Sequence, residues 1–327
     1  MAGRSPSVGD VQAVIVENES LRLEQRDTPD PAEGQVLVQV DFAGINAADL
    51  LQKRGVYPAP PGWPSDVPGM ELSGRVVRVG PDVDASLVGR SVCTIVGGGA
   101  QATHCIVPAA HLLEVPAQVP MDQAGGFPEA FITAFDALVL QGRLCAGERV
   151  LVSGASGGVG TAALQIAKLL GAHVTAVTRS DSHAEQLRQL GADDVISLED
   201  VPAIEPVDVV VELVGAAHLS LAQNRLAPRA RVVVIGVGAG SRVDINLLNV
   251  MATRATLTGS TLRSRDNAEK AQVIARVADA LVTPWRDGRV RVPLAATFPL
   301  AQVDAAYDFF ARPGKFGKVV LDVRVTP

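Results

Sequence analysis

The apolar run Val150-Leu151-Val152 breaks directly into Ser153-Gly154-Ala155-Ser156-Gly157-Gly158-Val159-Gly160. Beyond it, Val159, Ala162, Ala163, Ile166, Ala167 and Leu170 recur at helical spacing until Gly171, a natural helix stop. A strand that turns on glycines straight into a helix admits few folds. Gly157 leaves room for a backbone to approach a diphosphate, Gly160 lets the helix pack close to the sheet, and Ala155 stands at the first glycine place. The mouth of such a helix offers free N–H groups and a partial positive charge. In this context the pattern reads as a dinucleotide fingerprint, with Ser156, Gly157, Gly158 and Val159 as candidate cofactor-binding residues.

The neighbouring sequence keeps the same rhythm. Residues 174–178 read as a second strand and 184–190 as a second helix ending at Gly191; 195–196, 208–214 and 232–235 read as further strands. Strands alternating with helices predict a doubly wound parallel α/β sheet. In such sheets the tip of the second strand selects the nicotinamide cofactor. Here it reads Thr178-Arg179-Ser180, with no carboxylate before Asp181. A cation and a hydroxyl suit a 2′-phosphate, so Arg179 and Ser180 predict NADPH.

The first third differs in character. Val36, Val38, Val40 and Phe42 alternate with Leu37, Gln39 and Asp41, and prolines and glycines crowd residues 57–69 into a surface loop. This predicts a small β-rich unit. Only 4% of the chain is aromatic, so its cores are aliphatic. The formal charge of −6, with no basic run, argues against a nucleic-acid groove. Cys93, Cys105 and Cys145 match no metal or redox spacing, and an odd count suits a reducing compartment. Residues 1–10 show no apolar signal segment, and no apolar run is long enough to span a membrane. The expectation is a soluble cytoplasmic protein with no membrane partner.

Several landmarks then fall in order: Gly44-Ile45-Asn46-Ala47-Ala48-Asp49, Pro68-Gly69-Met70-Glu71 with Gly74, Gly89-Arg90-Ser91-Val92, Pro128-Glu129-Ala130 with Thr133-Ala134, the glycine turn, Gly259-Ser260-Thr261-Leu262-Arg263, and Gly314-Lys315-Phe316-Gly317-Lys318-Val319-Val320-Leu321. Together they resemble the zinc-independent quinone oxidoreductase family of medium-chain dehydrogenases/reductases, the zeta-crystallin-like group. The Pro128-Glu129-Ala130 form and Gly97-Gly98-Gly99 are similar to the branch of the p53-inducible quinone oxidoreductase. The resemblance implies a GroES-like catalytic domain from residues 1–126 and 267–327, with a Rossmann NADPH-binding domain at 127–266 between its two parts.

The resemblance also implies the chemistry. Zinc-dependent relatives place Cys where this chain has Asn46 and His where it has Met70, and the four-cysteine lobe is missing. An amide and a thioether do not replace thiolate and imidazole, so no metal is expected. Asn46 and Tyr57 are the implied catalytic residues, positioned to polarise an acceptor oxygen or to hold a flat substrate. Asp49 reads as a cap that holds the Asn46 loop. Further implied cofactor contacts are Thr133, Val214, Gly215, Gly236, Val237, Leu262, Phe316 and Lys318. His183 stands where relatives often carry a phosphate-pairing Lys, and Leu198 where they carry a Tyr near the adenine. His104, where relatives often have a Tyr, reads as a surface histidine. The implied activity is metal-free hydride transfer from NADPH to a quinone. Reduction of an activated C=C in an enone, alkenal or enoyl substrate uses the same scaffold and stays open. A non-catalytic nucleotide-binding protein is a third reading, disfavoured by Asn46 and Tyr57. The resemblance implies a homodimer, paired through a strand edge near residues 257–260.

Overall fold

The structure is a computed structural model and describes residues 11–324. The polar opening stretch read for a signal segment, residues 1–10, lies outside the described residues. The chain starts as a hairpin, β1 (Val11–Glu17) and β2 (Ser20–Arg26), whose two turn residues Asn18 and Glu19 both adopt positive φ. That left-handed pair matches the right-handed twist of the strands.

A seven-stranded sheet follows. Its members are β3 (Gln35–Ile45), β4 (Glu71–Val79), β5 (Ser91–Ile95), β6 (His104–Pro108) and β7 (Leu113–Glu114), joined much later by two C-terminal strands. The alternation read over residues 36–42 shows at Gln39, which is exposed, and at Asp41, which is half-buried, but not at Leu37, which is as buried as Val36 and Val38. The helix α1 (Ala47–Lys53) leaves the end of β3, and α2 (Met121–Gly125) and α3 (Pro128–Phe135) lead out of this sheet. After α3 the helix widens into a π turn over Asp136–Gln141.

The second sheet has six parallel strands, alternating with helices: β8 (Arg149–Val152), α4 (Gly158–Leu169), β9 (His173–Val177), α5 (Ala184–Gln189), β10 (Asp194–Ile196), β11 (Val207–Glu212), α6 (Ala216–Ala222), β12 (Leu226–Val234), α7 (Leu247–Thr253) and β13 (Thr256–Gly259). Their spatial order is β10-β9-β8-β11-β12-β13. This is the doubly wound order, with the switch between β8 and β11, where ligands bind at the carboxyl ends of the strands. β12 begins six residues before the expected 232, since Pro228 and Arg229, the latter at φ 66°, disguise its first half.

The chain then returns to the first sheet through α8 (Asn267–Arg286), β14 (Leu294–Pro299), α9 (Val303–Ala311) and β15 (Lys318–Asp322). β15 pairs antiparallel with β3 and parallel with β14. The core joining α3, α4 and α8 is mostly aliphatic; its aromatic members are Phe135 and a stack in which Phe127 lies 4.4 Å from Phe131 and 3.9 Å from Trp285.

Candidate active site

The glycine turn sits at the carboxyl end of β8, beside the switch point. Ala155 N donates to Val177 O at 3.1 Å, which ties the turn to β9. A Cβ on Gly160 would lie 2.5 Å from Gly154 O and 2.7 Å from the Ala155 Cα, so this position excludes any side chain. Gly157 differs: a Cβ there would meet only Gly154 O, at 3.4 Å, and open space lies in front of α4. Gly157 is the N-cap of α4 and supplies no side-chain acceptor. The first N–H groups of a helix have no intrahelical acceptor. The mouth of α4 is therefore free for an anion, and it fits a diphosphate.

At the tip of β9, Arg179 and Ser180 are exposed. Ser180 Oγ accepts from Ser182 N at 3.2 Å, capping a short helical turn. Both ring nitrogens of His183 are engaged, with Gln186 Oε1 at 2.8 Å and Gly314 O at 3.0 Å, and its ring packs 5.1 Å from that of Phe316. Burial, and then the charge of Arg179, hold the Lys315 ammonium below its ordinary value. The Lys315 ammonium donates to Arg312 O at 3.3 Å and stands 4.5 Å from the centre of the Phe310 ring. The sequence reading missed it, because the segment at Lys315 reaches β9 only through tertiary packing.

The C-terminal strand approaches the same turn. Gly317 N donates to Ser156 O at 2.8 Å and forms a parallel bridge with Gly157. Lys318, expected as a cofactor contact, turns inward. Its Nζ lies 2.6 Å from Glu71 Oε1 and donates to Asn46 Oδ1 at 2.6 Å and Ile45 O at 3.2 Å. Its stem runs past Gly158, where a Cβ would come within 2.4 Å of Lys318 Cδ.

These contacts fix the Asn46 amide. Its Oδ1 accepts from Lys318, and its Nδ2 donates to Glu71 Oε1 at 2.9 Å. Asn46 also caps α1: its backbone N donates to Asp49 Oδ2 at 2.7 Å. Asp49 Oδ1 accepts from Gly69 N at 3.0 Å, so this buried carboxyl does hold the Asn46 loop. Burial pushes Asp49 up to about 6, against the pull of those two amide donors. Glu71 Oε2 accepts from Glu129 N at 2.9 Å. The Glu129 carboxyl is pushed up to about 8, first by burial and then by the charge of Glu71, so it carries its proton at neutral pH.

Tyr57 lies under a guanidinium. Arg263 Cζ stands 4.9 Å from the centre of its ring, and Arg263 donates to Tyr57 O, Gly97 O and Gln52 Oε1. Thr133 on α3 and Leu262 before Arg263 are both buried. Val214 and Gly215 follow β11 and donate from their backbone N–H groups to Glu212 Oε1 at 2.8 and 2.7 Å. Gly236 and Val237 follow β12, and Ala239 N donates to Val214 O at 2.7 Å, which closes the two loops on each other. Glu212 also accepts from Ser153 Oγ at 2.8 Å and bonds the buried His218 imidazole. Although burial works against it, the bonds from His218, Gly215 and Val214 hold the Glu212 carboxyl below the usual range.

Glu71, Glu129, Arg263 and Glu212 were not singled out as site residues. The available signal was a lone charge inside an otherwise apolar segment, as in Gly-Met70-Glu71-Leu and Phe127-Pro-Glu129-Ala.

Comparison with known proteins agrees with this architecture. Residues 32–117 match the alcohol dehydrogenase GroES-like domain, and residues 158–279 match the zinc-binding dehydrogenase family. A quinone oxidoreductase of Lama guanicoe is 30% identical over 305 residues, 90% of each chain. A phenolphthiocerol/phthiocerol polyketide synthase polypeptide of Mycobacterium tuberculosis is 30% identical over 308 residues, which cover 90% of this chain and 14% of that protein. The crystal structure of an alcohol dehydrogenase superfamily protein from Novosphingobium aromaticivorans superposes with a TM-score of 0.85 at 30% identity, covering 97% of this chain and 100% of the other. The chain belongs to the quinone oxidoreductase family of the medium-chain dehydrogenase/reductase superfamily. It is an oxidoreductase of a class that works with a pyridine nucleotide on small-molecule substrates. Among the described residues, no helix is long and apolar enough to cross a membrane.

Proposed function

We propose that the chain is an NADPH-dependent reductase that delivers hydride to a quinone without a metal ion. The observation that carries this reading is the Asn46 amide, clamped between the Lys318 ammonium and the Glu71 carboxylate beside the glycine turn. Ser156, Gly157, Gly158 and Val159 would hold the diphosphate, and Arg179 with Ser180 and Lys315 would face the 2′-phosphate. Thr133, His183, Val214, Gly215, Gly236, Val237, Leu262 and Phe316 would line the rest of the nucleotide path. When bound there, the nicotinamide supplies the hydride.

The remaining steps belong to the chain's own residues. Lys318 and Glu71 hold the Asn46 amide in one orientation, with one N–H left to donate. The Arg263 guanidinium holds the Tyr57 ring as a flat wall beside its hydroxyl. Glu129 keeps a proton at neutral pH. The reading without metal is supported by the donor chemistry. An amide and a thioether stand at Asn46 and Met70, and among the described residues no three His, Cys, Asp or Glu side chains are grouped to hold an ion.

The likeness to the polyketide synthase favours a second reading, reduction of an activated C=C in an enoyl thioester or enone. The two separate by NADPH oxidation with quinones against α,β-unsaturated ketones and thioesters, after exhaustive chelation. A quinone preference in kcat/KM supports the first reading, and the reverse supports the second. Activity lost on chelation, or no turnover with any acceptor, refutes both.

The catalytic parts are assigned to residues 1–126 and 267–327, and the nucleotide-binding part to 127–266. β13 is an edge strand with Leu257 53% exposed, and on α7 beside it Leu248 and Met251 are 75% and 72% exposed. That apolar edge suits a second copy of the chain, and a homodimer is proposed.

A further inference from the structure

A cavity of about 850 Å³ is bordered by Gly98 and Gly99. Neither the glycine turn nor Asn46, Tyr57, Glu71, Glu129 or Lys318 lines it. Its size lies within the ~300–1,000 Å³ usual for small-molecule sites. Trp63, Pro64, Val67 and Ile106 form apolar wall. The Trp63 indole is packed on Gly97, where a Cβ would come within 2.5 Å of Trp63 Cδ1.

Lys270 also lines this cavity, and it is only 4% exposed. Its ammonium has three N–H donors. The structure gives it one acceptor, Arg263 O at 3.0 Å; the Glu129 and Asp266 carboxyls are near enough to act on its charge, but among the described residues neither forms an ion pair with it. The other cations at the wall are occupied: Arg26 pairs with Asp66 and Glu24, and Arg265 with Asp136 and Glu269. Two acids share the lining, Asp27 and Asp266, and Asp266 accepts from Glu269 N at 2.7 Å as the cap of α8. A buried ammonium with unmet donors is costly until an anion joins it.

We propose that this cavity is a second binding site, for a small aromatic carboxylate, with Lys270 as its anion anchor and Trp63 as its ring wall. Burial lowers the Lys270 ammonium from its ordinary value, and an anion would restore it. Arg263 stands between the two sites, its carbonyl on Lys270 and its guanidinium on Tyr57.

Benzoate and benzamide are the probes, titrated into the full chain at saturating NADPH. Trp63 and Trp285 are the chain's two tryptophans, and Trp285 is stacked on Phe127 in the core. Benzoate is expected to change tryptophan emission and to bind at least tenfold tighter than benzamide by calorimetry. Trp63→Phe should abolish the emission change. Lys270→Met should weaken benzoate roughly ten- to a hundredfold. Ile106→Phe, which fills the cavity from a half-buried strand position, should weaken both probes and decides the matter if Lys270→Met does not fold. Equal binding of the two probes overturns the proposal. So does unchanged affinity in both variants, or competition of benzoate with NADPH or with a quinone acceptor. Apart from the competition with a quinone acceptor, none of these readouts requires the proposed quinone activity.

Discussion

Lys318 on β15 and Glu71 at the start of β4 form an ion pair at 2.6 Å, with the two side chains 4% and 0% exposed. Between them they grip both ends of the Asn46 amide. Lys318→Met strands the Glu71 carboxylate in the interior and should cost about 3–5 kcal/mol by urea denaturation. A Lys318→Met/Glu71→Met double variant should regain much of that loss while kcat stays low. If the double variant is as unstable as the single one, the pair is not the cause.

Glu129 makes stability depend on pH. Its carboxyl titrates near 4.5 ordinarily and near 8 in the folded chain. Between those values the folded state keeps a proton that the unfolded chain has shed, so stability falls as pH rises and levels off above 8. The slope is at most roughly 1.4 kcal/mol per pH unit from this group. Asp49 adds a fall at lower pH, ending near 6. Glu129→Gln should flatten the profile of urea midpoints between pH 6 and 8, and an unaltered slope there would assign the effect elsewhere.

Arg179 and Lys315 together predict cofactor choice. Arg179→Asp should raise KM for NADPH roughly ten- to a hundredfold while leaving NADH nearly unchanged. Lys315→Ala should act in the same direction with smaller size. Steady-state kinetics with both nucleotides checks this, and an unchanged NADPH/NADH ratio in both variants removes them from phosphate recognition.

Two glycines of one turn should respond in opposite ways. Gly157→Val has room for its Cβ and extended backbone, so its melting temperature should stay within a few degrees while nucleotide affinity drops at least tenfold. Gly160→Ala forces its Cβ to within 2.5 Å of Gly154 O and should cost about 1–3 kcal/mol. Thermal melts with and without nucleotide separate the two, and equal responses would contradict the geometry.

The strand, glycine turn and helix at residues 150–170 were legible because each is a local matter of period and backbone freedom. Asp49 was legible for the same reason, as its cap partner is three residues away. The role of Lys318 was not, since Glu71 reaches it only across β3, far away in sequence. Glu129 reads locally as one charged residue in a largely apolar helix, and its retained proton depends on burial and then on Glu71 from β4. Lys315 acquires meaning only because its segment folds back toward Arg179. Position along an element could be read from the sequence; charge brought together by packing could not.

The bond from Gly317 to Ser156 stitches the closing segment of the chain onto the glycine turn. A fragment that stops short of this stitch owns the helix mouth but lacks one wall of the crevice. Capture of a cofactor at the proposed site would therefore report that distant stretches have met. A chain severed in the exposed loop at residues 238–242 would recover it only when both halves reassemble, which makes the nucleotide a sensor of complementation.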